Sequence, residues 1–114
     1  MSRYPAIDET FPLEVDGRVR FFKLVIPKRH PTREALGRDL ARRGVPAPIS
    51  VRDAFMKAHP NTCHRQPVGF APAAWVNTMA GGGFPFIDSL GDARFEWIEA
   101  SSEFILQWLW LVEV

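Results

Sequence analysis

Asp16-Gly17 lies between two runs rich in β-formers, FPLEV and RVRFFKLVIP, and this pair restricts the chain more than any other short feature in it. Asp-Gly between strand-like runs is the strongest local signal for an antiparallel hairpin, because both residues accept the positive φ angles that a tight hairpin loop needs. The register is then a choice between two loops. A two-residue loop sets Leu13 against Arg20. A three-residue loop ending in a bulge at Gly17 pairs Glu14 with Arg18, Leu13 with Val19 and Phe11 with Phe21, which groups apolar with apolar and acid with base. The second register is the one expected. Pro12 then belongs on a short edge strand, where a missing N–H is tolerated.

A helix is expected next, in KRHPTREALGRDLARRG. Thr32 suits its N-cap, Leu36 and Leu40 stand one turn apart, Arg42 and Arg43 oppose the negative end of the dipole, and Gly44 suits a left-handed C′ position. The connector VPAPI ends it. Ser50 opens a second helix as a capping box with Asp53, burying Val51, Ala54, Phe55 and Ala58, until Pro60 stops it. A third, short helix is expected in APAAWVNTMAGGG, with Pro72 in its first turn and glycine at its end.

The last third, RFEWIEASSEFILQWLWLVEV, is dense in aromatic and branched residues and reads as a second hairpin turning at Ser101-Ser102. Phe95 would face Trp108 and Trp97 would face Leu106, with Glu96 against Gln107, Ile98 against Ile105 and Arg94 near Leu109 on the reverse side. Strands first, helices next and strands last imply a single α+β domain over residues 1–114. Its expected form is a four- to five-stranded antiparallel sheet, an N-terminal plus a C-terminal hairpin, with two or three helices packed on one face. Leu109 and Leu111 on the reverse side exceed what a one-sided sheet explains, so loops or a second subunit should cover them.

At 114 residues, 46% of them hydrophobic and 24% charged, the chain has the composition of an ordinary folded domain. One cysteine excludes an internal disulfide, MSRYPAIDET lacks the apolar core of a signal peptide, and FILQWLWLV is half the length of a membrane-spanning helix. A cytoplasmic protein with no membrane contact is expected. Eleven arginines against three lysines suit a GC-rich bacterial coding sequence. The net charge of +1 conceals segments of −3 over residues 1–16, +9 over 17–66 and −5 over 67–114, a split that a partner, the fold itself or a second copy can satisfy.

Four groups of residues invite a functional reading. HPNTCHRQP brings His59, Cys63 and His64 together as candidate metal ligands, but Pro60 prevents a shared helical face, and a structural zinc site needs a fourth ligand. No metal and no cofactor is expected. Cys63 beside His64 is not a nucleophile pair without an orienting third group, Glu96 and Glu99 fall on opposite faces of a strand, and Ser101 and Ser102 read as turn residues, so no catalytic set emerges. An Arg-rich helix over 33–43, with Arg33, Arg38, Arg42 and Arg43 followed by Arg52 and Lys57, offers a stripe for nucleic-acid phosphates; its separation from the next helix does not suit a helix-turn-helix. The glycines Gly81–Gly83, flanked by Trp75, Met79, Phe84 and Phe86, could gate an apolar ligand pocket.

The fourth group leads. A non-enzymatic interaction module is expected, a homodimer in which Trp108, Leu109, Trp110 and Leu111 supply buried area while Arg94, Glu96 and Gln107 supply directional contacts. Small-molecule binding at the glycine loop and nucleic-acid binding at the arginine helix are the alternatives.

Overall fold

The structure, a computed structural model, describes residues 6–28, 33–60, 62, 66–71, 84–88, 90, 92–96 and 108–114. The class is α+β. Along the chain come β1 (Phe11–Val15), β2 (Arg18–Val25), α1 (Arg33–Arg43), β3 (Val45–Pro46), a 3-10 turn (Ile49–Val51), α2 (Arg52–Ala58), β4 (Val68–Gly69), β5 (Phe84–Ile87), β6 (Ala93–Glu96) and β7 (Leu109–Glu113). Together the seven strands form one mixed sheet in the order β1-β2-β7-β4-β5-β6, with β3 pairing beside β4 along the same flank of β7. It is not the purely antiparallel sheet of four or five strands that the sequence suggested, because β4 runs parallel to β7.

The hairpin forms where Asp-Gly places it, but with the other register. Val15 pairs with Arg18, Leu13 with Arg20 and Phe11 with Phe22 around a two-residue loop. Asp16 and Gly17 both take positive φ, 51° and 77°, the type I′ pattern whose twist matches that of the flanking strands. Moving a strand by one residue exchanges its faces. Phe22 and Leu24 therefore turn inward with Phe11, Leu13 and Val15, whereas Val19 and Phe21 turn outward. The expected pairing left Arg20 out of the account. Its guanidinium binds Glu113 on β7 through Nε–Oε2 at 2.6 Å and Nη2–Oε1 at 2.5 Å, and lies over the Phe22 ring. A partner 93 positions away makes an arginine tolerable beside a buried leucine.

β6 and β7, the described parts of the expected C-terminal hairpin, are not neighbours in the sheet. β6 pairs with β5, β7 lies between β2 and β4, and so β5 and β4 separate the two strands expected to be neighbours. A tight corner joins β5 to β6, where the Asp88 carboxylate accepts the amides of Leu90 and Asp92. The expected turn at Ser101-Ser102 lies outside the described residues, as do most of the expected third helix and the Thr32 cap.

Being central, β7 is buried on both faces, and the helices divide between those faces rather than sharing one. Leu109 and Leu111 join Phe11, Leu13, Phe22, Leu24, Val68 and Ile87 beneath Val51 and Phe55 of the α2 region. Trp108, Trp110 and Val112 point the opposite way, joining Val25, Phe84 and Phe86 beneath Leu36 and Leu40 of α1. Strand alternation thus builds two cores, one on each side of a single sheet. Leu109 and Leu111 need no second subunit to cover them, since Val51 and Phe55 of the α2 region pack over that face.

Local details differ at both helices. Ser50 forms no side-chain cap; the 3-10 turn leads into α2, the Asp53 carboxylate accepts from Arg52, and Ala58 is exposed rather than buried. Gly44 does not adopt positive φ. It is glycine because α1 meets β7 there: a Cβ would stand 2.5 Å from the Glu113 carbonyl oxygen.

Candidate interaction surface

The four apolar residues of the expected dimer interface belong to the chain's own core. Trp108, Leu109, Trp110 and Leu111 are 4%, 5%, 1% and 1% exposed. The two indoles also organise the α1 side: Phe86 stacks on Trp108 at 4.4 Å, and Phe84 meets Trp110 edge-on at 5.8 Å. Gly69 lies directly under both indoles. Arg94 and Glu96 stand on β6 at the far end of the strand order, opposite Phe86 and Phe84, and are not brought beside β7. Gln107 lies outside the described residues.

The other candidates are likewise dispersed. Phe84 and Phe86 are buried beneath α1, while Trp75, Met79 and Gly81–Gly83 lie outside the described residues. Arg38 and Arg42 are exposed on the outer side of α1, and Arg33 begins that helix. Arg43 binds Asp39 at 3.3 Å. Arg52 and Lys57 belong to α2, across the sheet from α1, so the six basic residues do not make one stripe. His59 packs its ring edge-on against Phe11 at 4.9 Å and beside Phe55 at 5.7 Å, closing the end of α2 over β1. Cys63 and His64 are outside the described residues, among which no group of three potential metal ligands occurs. Nor, among them, is any helix long and apolar enough to cross a membrane.

What the structure does assemble is a surface that sequence reasoning missed. On the α1 side of the sheet, α1 covers β7, β5 and the end of β2 at Val25, but not β1 or the first half of β2. That uncovered portion carries Pro12 directly opposite Phe21 and Glu14 directly opposite Val19. Phe21 is 51% exposed, Val19 64% and Val114 54%, and Val114 is tied to the row by its amide, which donates to the Phe21 carbonyl at 2.9 Å. The apolar side chains are therefore adjacent rather than scattered.

The hairpin forms a ledge and α1 the wall beside it. A helix stands about 10 Å high with its side chains, close to the ~10 Å spacing of two packed sheets. The flank of α1 that looks toward the exit of β2 is marked by Asp39, whose carboxylate accepts the Lys28 amide at 3.2 Å. Arg43 is held on that flank by the same carboxylate, and the exposed Arg42, three residues beyond Asp39, stands between that flank and the outer side of the helix. Lys23, near Asp8 at 4.0 Å, lies at the same inner end. Glu14 and Asp16 lie at the outer end, at and beside the hairpin loop, while Arg18 pairs with buried Val15 and belongs to the opposite face. The ledge is apolar along its length and acidic at its tip, and at its inner end the three basic side chains outnumber the carboxylates of Asp8 and Asp39.

Among the described residues no strand pairs with the outer edge of β1, and that edge is poorly suited to pairing with another strand. In a two-residue hairpin the pair flanking the loop is hydrogen-bonded and such pairs alternate, so residues 15, 13 and 11 bond to β2 while Pro12 and Glu14 turn their main chain outward. Proline removes one of those outward donors. A contact here is made by the face of the hairpin, not its edge. The one signal of this surface in the sequence was the correct register, since only the two-residue loop turns Val19 and Phe21 outward. No family model, curated protein or solved structure matches the chain.

Proposed function

We propose that this chain is an interaction module that works by self-association through the outward face of the β1–β2 hairpin, and not an enzyme. The observation that carries the reading is the row of Phe21, Val19 and Val114, exposed side by side with Pro12 while the apolar residues of β7, β4 and β5 are covered. Contiguous exposed apolar residues at the centre of a polar surround are what interface cores consist of, and an aromatic ring at the centre is the usual energetic anchor. A rim of charged groups around them extends the contact toward the roughly 800 Å² per partner of a standard interface. The second copy is favoured as partner because the ledge carries both signs of charge at opposite ends, which lets the same surface complement itself about a two-fold axis.

Solution mass by light scattering, with concentration varied, tests this. The expected result is a dimer for the natural chain and a folded monomer for Phe21→Glu, because the ring is half exposed and its replacement leaves both cores intact. A monomeric natural chain, or a Phe21→Glu variant that remains dimeric, overturns the reading.

A further inference from the structure

We infer that the two copies lie antiparallel on one another's ledges, so that the acidic hairpin tip of each copy reaches the basic α1 flank of the other. This rests on the self-association reading above and adds the orientation and the residues that select it. Geometry sets the first constraint. Because the height of α1 matches the spacing of packed sheets, a partner hairpin laid on the ledge occupies the layer of α1 and abuts its flank.

Charge sets the second. Glu14 faces the ledge opposite Val19, and Asp16 stands exposed in the loop with its φ of 51°. At the inner end stand exposed Arg42, Arg43 on Asp39, and Lys23 beside Asp8. A parallel arrangement would bring tip to tip and place Glu14 and Asp16 of both copies together. The antiparallel arrangement brings each tip to the other copy's Arg42. Like charges brought together at an interface cost far more than the modest gain of a rim pair, so the layout excludes the wrong orientation as much as it rewards the right one. Because the contact is isologous, every cross-pair occurs twice.

The experiment is a charge-exchange cycle read by sedimentation equilibrium at low and high salt, on the full chain. Glu14→Arg and Arg42→Glu are both surface substitutions, and a circular dichroism melt of each confirms folding. Each alone is expected to weaken association about tenfold or more, and the double variant, which restores opposite charges across the contact, is expected to return it toward the natural value. The natural dimer should also weaken with salt, as exposed ion pairs do. If the natural chain dimerises and Phe21→Glu abolishes the dimer, yet the double variant is no better than either single one, the antiparallel orientation is wrong while the ledge remains the interface. If the natural chain is monomeric throughout, both readings fall.

Discussion

Gly69→Ala tests the two-sided packing of the sheet most directly, because two opposed effects of known size meet at that position. Gly69 does not use positive φ, so alanine fits the backbone there. On backbone grounds alone the substitution should stabilise by about 0.4–1 kcal/mol through a stiffer unfolded chain. The space above it is occupied. A methyl group would stand 2.9 Å from one ring carbon of Trp110 and 3.0 Å from one of Trp108, and both indoles are buried and fixed against Phe84 and Phe86. Forcing a carbon into such a site typically costs about 1–3 kcal/mol. The clash wins, leaving a net loss of roughly 1–2 kcal/mol. For a chain of this length that lowers Tm by about 4–8 °C. Thermal unfolding followed together by circular dichroism and tryptophan fluorescence reads both the loss and its origin, since the indoles must move. A Tm unchanged or raised in Gly69→Ala would refute the placement of β4 beneath the two tryptophans.

Two further outcomes follow from the hairpin and from the ion pair beside it. Asp16→Val places a branched residue at a φ of 51° and should cost about 1–2 kcal/mol in chemical denaturation, whereas Asp16→Asn should cost little; equal stabilities would contradict the two-residue loop. The Arg20 side chain, hydrogen-bonded to Glu113, holds that carboxyl below its ordinary value. A depressed carboxylate contributes stability that is present above its unfolded-state pKa and lost as pH falls through the lower, folded-state value. Arg20→Ala should therefore flatten the acid side of the stability–pH curve, and an unchanged acid limb in urea titrations at stepped pH would refute that role.

The local elements were legible because their causes are local. Asp16-Gly17 demanded a hairpin loop, Leu36 and Leu40 marked the buried stripe of α1, and Pro60 closed α2. What failed was each inference that needed knowledge of a distant neighbour. Pairing Leu13 with Val19 looked favourable only while Glu113 was not known to await Arg20. Phe95 and Trp108 looked like a cross-strand pair because their segments are close in sequence, and strands adjacent in sequence often pair, but not always. β3 and β4, two residues each, are too short to carry an alternation.

The same division applies to the candidate surface. Composition and pattern by themselves determined an α+β domain, two helices, an N-terminal hairpin and a strand of tryptophans and leucines too apolar to stay wet. They could not determine which apolar residues would remain outside. Burial depends on what covers each face, and here β7, last in the sequence, takes the middle of the sheet and draws α1 to one side and the α2 region to the other. Only that long-range arrangement buries Trp108 to Leu111 and leaves Val19 and Phe21 exposed, because the hydrophobic effect stabilises the burial of apolar area without specifying which segment supplies it.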